Sequence, residues 1–239
     1  MPRTLVDPAS RPPRLLVSVR DVAEAEAACL AGADLVDAKD PDRGALGALP
    51  PDLVRAMVAR VGSRAVTSAV AGEPAEAEAL ATCVAAMAAT GVAYVKVAIR
   101  GDFTDADLAG AAARAPGHLI AVLFAEQGVD PTMVPRLAAA GFVGAMIDTA
   151  GKDGRRLTDL IEAPRLASFT AGCRALGLLS GLAGSLGIDD IPGLASLDAG
   201  YLGFRGGLCE SGDRRRRLDP TRVAEAARRL RGLGCRDAA

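Results

Sequence analysis

The chain has 239 residues, half of them hydrophobic and 24% charged, and a net charge of −1, so it can bury a large core and has no overall field to attract nucleic acid. Its five cysteines are odd in number, widely spaced and free of any C-x-x-C pair, and His118 is the single histidine. That composition argues against a disulfide framework, a zinc cluster and a histidine-based triad, and no metal or other cofactor is expected.

In chain order, Met1 to Pro13 carries four prolines and no apolar run of the signal-peptide kind, and reads as an N-terminal tail over residues 1–13. From Arg14 onward, short apolar runs alternate with longer alanine-rich segments of helical period. Strands are predicted near Leu15–Val19, Asp34–Lys39, Ala65–Val70, Tyr94–Ile99, Leu119–Phe124, Gly144–Asp148, Leu178–Leu182 and Gly200–Phe204. Helices are predicted near Val22–Ala31, Pro51–Val61, Glu76–Thr90, Asp105–Arg114, Pro131–Ala140, Thr158–Leu176, Ile191–Leu197 and Thr221–Arg231.

Local signals support these boundaries. Asp130-Pro131 and Asp219-Pro220 place a capping carboxylate before a proline at the first helical position, and Gly32, Gly62, Gly91, Gly117, Gly141 and Gly177 each stand between a helical run and the next strand. The strands are continuously apolar, as in a parallel sheet buried on both faces. Eight such units predict an α/β protein with a single (β/α)8 TIM barrel over 14–233, followed by a C-terminal tail over 234–239. A doubly wound open sheet is the alternative, but the first βα turn, Ser18-Val19-Arg20-Asp21, has no glycine. The longest uncharged stretch, Ala79 to Val95, is rich in alanine and falls short of the roughly 20 strongly apolar residues of a membrane span. A cytoplasmic protein that binds neither membrane nor nucleic acid is expected, and barrels commonly form homo-oligomers.

Only Lys39, Lys96 and Lys152 among the 28 basic residues are lysine. A chain that uses arginine for its surface cations keeps lysine where an amine must lose its proton and attack a carbonyl, which guanidinium cannot do. Lys39 ends strand two, Lys96 is in strand four and Lys152 follows strand six, and barrels carry their active sites at the C-terminal ends of their strands. A solvated charge is the simpler explanation of any one of them, but less so of all three together. Asp37 shares a strand face with Lys39, and Asp148 ends strand six in an otherwise apolar run; each can hold an amine charged or shuttle its proton, or serve only as a structural ion pair. Glycine clusters follow strands seven and eight, Gly181 to Ser185 and Arg205-Gly206-Gly207. Loops seven and eight of barrels often bind phosphate through backbone N–H groups, which nominates Gly184, Ser185, Gly206 and Gly207, with Arg205 adding a bidentate contact. The run Arg214 to Arg217, without interleaved aromatics, reads as a solvated loop or subunit contact. These residues predict an aldolase-like or lyase-like enzyme that forms a lysine Schiff base with a small phosphorylated carbonyl compound.

The same segments carry a family resemblance. Leu16-Val17-Ser18, Asp21 to Ala25, Gly32 to Pro41 and Gly44 to Ala48 resemble the N-terminal signature of the (5-formylfuran-3-yl)methyl phosphate synthase family, also called 4-(hydroxymethyl)-2-furancarboxaldehyde-phosphate synthase. Tyr94 to Val97, Asp148 to Gly154, Leu182 to Ser185, Arg205 to Gly207 and Gly212 to Arg214 are similar to its later motifs, in order, across about Leu15 to Leu230. The resemblance implies a TIM barrel that joins two molecules of glyceraldehyde 3-phosphate, with loss of phosphate and water, in methanofuran biosynthesis. It puts Lys39 where the family has its Schiff-base lysine and Lys96 where it has a proton acceptor, with Asp37, Asp148 and Lys152 at the remaining polar positions. The arginine-rich composition departs from lysine-rich archaeal relatives and fits a GC-rich methylotroph that uses such a cofactor in one-carbon metabolism. Competing readings are another Schiff-base aldolase acting on a sugar phosphate, and a non-catalytic phosphometabolite-binding subunit of a one-carbon complex.

Overall fold

The computed structural model describes residues 12–151 and 154–234. Strands β1 (Arg14–Val19), β2 (Leu35–Ala38), β3 (Val66–Gly72), β4 (Tyr94–Ala98), β5 (Leu119–Phe124), β6 (Gly144–Asp148), β7 (Leu179–Leu182) and β8 (Tyr201–Phe204) hydrogen-bond in sequence order and close into a barrel. Every pairing is parallel, including that of β8 back to β1. Around them run α1 (Val22–Leu30), α2 (Pro51–Val61), α3 (Ala77–Ala88), α4 (Asp105–Ala112), α5 (Met133–Ala140), α6 (Leu157–Leu160), α7 (Ala163–Ala175), α8 (Ile191–Ala195) and α9 (Pro220–Gly234). The predicted (β/α)8 barrel is the fold. Residues 1–11 and 235–239 of the expected tails lie outside the described residues, and Gly234 closes α9.

The pleat explains why the strands read as unbroken apolar runs. Alternate side chains point inward, where Leu16, Leu35, Val66, Ile120, Met146 and Tyr201 belong to the barrel's inner cluster. Their neighbours Leu15, Val17, Val36, Val95, Ala121 and Leu202 belong to the outer cluster with the helices. Large and small residues meet across the interior: Gly181 pairs in register with Tyr201, and a Cβ on Gly181 would lie within 2.5 Å of the phenol oxygen.

Helix starts follow local chemistry. Asp21 caps α1 by accepting from Glu24 N at 2.8 Å, and Thr104 with Asp107 forms a capping box on α4. Asp219 behaves as expected, its Oδ1 accepting from Thr221 N at 2.9 Å as α9 begins at Pro220. The six glycines expected at helix ends all have positive φ.

Two expectations are corrected. Asp130 Oδ1 accepts from both N and Oγ1 of Thr132, each at 2.8 Å, so Pro131 and Thr132 form a turn and α5 starts at Met133. The single helix expected over Thr158–Leu176 is two, α6 and α7, separated at Ile161, whose backbone is extended (φ −133°, ψ 125°). Pro164 is the cause: inside a continuous helix its ring would meet the carbonyl four residues back, whereas in the first turn of α7 its missing N–H is harmless. No helix among the described residues is long and apolar enough to cross a membrane.

Candidate active site at the C-terminal mouth of the barrel

The polar residues that interrupt the apolar strands meet inside the barrel. The register places Ser18, Asp37 and Ser68 side by side on β1, β2 and β3. Asp37 is fully buried and accepts from Ser68 Oγ at 2.7 Å and Ser18 Oγ at 3.0 Å, and Lys96 Nζ lies 2.8 Å from its Oδ2. Three donors thus compensate a carboxylate that would otherwise be costly to bury. Lys96, on β4, is 2% exposed. Burial pulls its amine below the usual lysine value; Asp37 opposes this, and the charge of Lys39 adds to it.

Lys39 follows directly on β2, and its Nζ lies 3.3 Å from Asp148 Oδ2 at the end of β6. Asp148 Oδ1 accepts from Thr149 N at 2.8 Å, which fixes the carboxylate toward Lys39. Two ion pairs therefore stand at the mouth: Lys96 with Asp37 inside, and Lys39 with Asp148 above. They border a cavity of about 520 Å³ lined by Lys39, Lys96, Asp148, Ser18 and Thr149, together with the loops that follow β6, β7 and β8. Asp37 sits behind Lys96, outside that lining. Lys152 lies outside the described residues, although Gly151 and Gly154 on either side of it line the cavity.

The remaining nominated residues, Gly184, Ser185, Arg205, Gly206 and Gly207, all line the cavity. Gly184 packs so tightly on Thr149 that a Cβ would come within 2.6 Å of its methyl group, and Ser185 has a φ of 50°. A Cβ on Gly207 would overlap the carbonyl oxygen of Leu186, so glycine there lets loops seven and eight touch. Among the described residues, no backbone hydrogen bond takes the N–H of Gly184, Ser185, Gly206 or Gly207.

Arg205 corrects the sequence expectation. Nε donates to Arg214 O at 2.9 Å, Nη1 to Ser18 O at 3.2 Å and to Glu24 Oε2, and Nη2 to Glu24 Oε1 at 3.3 Å and Arg216 O at 3.1 Å. With all five N–H groups engaged, the bidentate contact goes to Glu24, and Arg205 ties loop eight to the end of β1.

Sequence reasoning missed several contributors. Glu24, on α1, is 7% exposed and also accepts from Arg20 N and Leu218 N. Glu126 accepts from Ala150 N at 2.9 Å and Gly151 N at 2.7 Å, anchoring the loop that leads to Lys152. These backbone bonds outweigh the burial that opposes them and hold the Glu126 carboxyl below its usual value. Ser18 and Ser68 left a legible trace, as hydroxyls in apolar strands with the same parity as Asp37. Glu24 and Glu126 resemble ordinary helix or loop carboxylates, and only the tertiary fold distinguishes them. Among the described residues, no three His, Cys, Asp or Glu side chains group so as to hold a metal ion.

Comparison with known proteins adds an independent line. The family model described as 4-HFC-P synthase matches residues 15–227. A Methylorubrum extorquens protein, provisionally named a (5-formylfuran-3-yl)methyl phosphate synthase, is 61% identical over 98% of this chain and 99% of its own. The (5-formylfuran-3-yl)methyl phosphate synthase of Methanopyrus kandleri is 36% identical over 85% of this chain and 92% of its own. Among solved structures, phosphoribosyl anthranilate isomerase from Thermotoga maritima superposes with a TM-score of 0.66, covering 92% of this chain and 100% of that one at 13% identity, a likeness of fold alone. On the family model and on relatives matched over most of both chains, this chain belongs to the 4-HFC-P synthase family.

Proposed function

We propose that this chain is a (5-formylfuran-3-yl)methyl phosphate synthase that joins two molecules of glyceraldehyde 3-phosphate through a Schiff base on Lys39. The two substrates together equal the furan aldehyde phosphate, one phosphate and two waters, so the reaction needs no oxidant or reductant. The convergence of two amines and one carboxylate on a single cavity carries this reading.

The residues divide the work by position. Lys39 must be neutral to add to the aldehyde, and Asp148 is within reach to take its proton. Expulsion of water then leaves an iminium, which acidifies the neighbouring C–H. Lys96, held toward its neutral form by burial, is the base suited to remove that proton. Loss of the proton drives elimination of the phosphate from the adjacent carbon, and the conjugated fragment bonded to Lys39 can then combine with the second substrate. The unengaged N–H groups of loops seven and eight suit a phosphate oxygen. Lys152 extends the set of amines by sequence.

Incubating the purified chain with glyceraldehyde 3-phosphate, while recording the furan absorbance and assaying released phosphate, tests the reading. Both signals are expected at a ratio of one to one. An aldol product without phosphate release would replace the synthase with a simple aldolase, and no turnover at all would favour a binding protein.

A further inference from the structure

The arginine run of loop eight divides in the folded chain. Arg215 Nε lies 3.4 Å from Asp42 and Arg216 Nε 3.9 Å from Asp213, all on largely exposed side chains. Arg214 turns the other way. Its Nη2 donates to Gly44 O at 2.9 Å in the loop after β2, while its Nε is buried and has no hydrogen-bond partner among the described residues. Both Arg214 and Arg215 border the cavity, Arg214 beside Gly206, where an added Cβ would lie 3.6 Å from that of Arg214. A buried N–H without an acceptor is unfavourable, and an acceptor arriving from the cavity would relieve it.

We infer that Arg214 is the guanidinium that binds the substrate's phosphate, in place of Arg205, whose donors are all spent on protein oxygens. The inference rests on the reading above that the substrate is a phosphate ester. The chemistry it recognises is a dianionic phosphate: guanidinium offers forked donors to two oxygens, and the Gly206 N–H next to it makes no backbone hydrogen bond among the described residues. Arg205 acts one step back. Its Nε and Nη2 hold the carbonyls of Arg214 and Arg216, so the Arg205–Glu24 pair sets the path of the loop that presents Arg214.

Isothermal titration of the full chain with inorganic phosphate, and steady-state kinetics with glyceraldehyde 3-phosphate, test this. Arg214→Gln should weaken phosphate binding and raise KM by about 10- to 100-fold each, with kcat within a few-fold. Arg214→Lys, which keeps the charge but lacks Nε, should fall between, and Arg217→Gln, outside the cavity lining, should match wild type. A folded Arg214→Gln protein with unchanged phosphate affinity and KM would overturn the inference. If wild type forms no furan product yet binds phosphate in an Arg214-dependent way, the synthase reading fails and this one stands.

Discussion

Lys96 Nζ lies 2.8 Å from Asp37 Oδ2 inside a barrel whose wall leaves the amine 2% exposed and the carboxylate without solvent contact. Asp37 has no solvent contact and Lys96 meets only the cavity, so each charge depends chiefly on the other and on the two serine hydroxyls that the register brings beside Asp37. The environment that makes the amine easier to deprotonate, as the proposed role of Lys96 requires, also makes the carboxylate hard to do without.

Asp37→Asn is expected to lower unfolding free energy by about 3 kcal/mol at neutral pH, because it leaves the buried ammonium without its counter-charge. The loss should shrink toward high pH, as Lys96 sheds its proton. Urea denaturation at several pH values measures both, and a variant as stable as wild type at neutral pH would contradict the pairing.

The chain has only three lysines, so 13C-lysine labelling yields few signals and Lys96 can be followed by NMR. Its midpoint should fall below the ordinary 10.5. An amine depressed on folding binds its proton more weakly folded than unfolded. Its cost to stability is therefore fully present below the folded pKa and disappears as pH rises toward 10.5. An amine that titrates at or above 10.5 would remove Lys96 as the base.

Lys39→Arg keeps a cation opposite Asp148 but cannot form an imine. Turnover should drop below about 1% of wild type with the fold intact. Borohydride added during turnover of wild type should fix substrate carbon onto Lys39, seen by peptide mass spectrometry. Substantial residual activity in the variant would place the nucleophile elsewhere.

Gly181→Ala would press a methyl group against the Tyr201 ring, which fills the space glycine leaves across the β7–β8 pairing. Forced repacking of a full barrel should cost roughly 1–3 kcal/mol and lower the melting temperature by several degrees. Tyr201→Phe removes the phenol oxygen, one of the atoms nearest the added methyl, and should recover part of that loss in the double variant. Calorimetry of the four proteins reads the coupling directly.

The βα rhythm is written in local sequence, and so is the strand parity that turns Asp37, Lys39, Lys96 and Asp148 to one face of the sheet. These follow from interactions within a few residues of each other: proline and glycine punctuation, caps, and a two-residue pleat. The break between α6 and α7 is local too, since Pro164 fits the first turn of a helix and not its interior. Which charged groups face one another is set by the closed barrel. The sequence nominates Arg205 for phosphate and reads Arg214 as part of a solvated run, yet Arg205 is consumed by Glu24, 181 residues away, and Arg214 has an idle N–H at the cavity. Closure of the sheet brings β1 against β8 and loop two against loop eight, so each donor's acceptor is set by a juxtaposition between chain ends that local sequence does not encode.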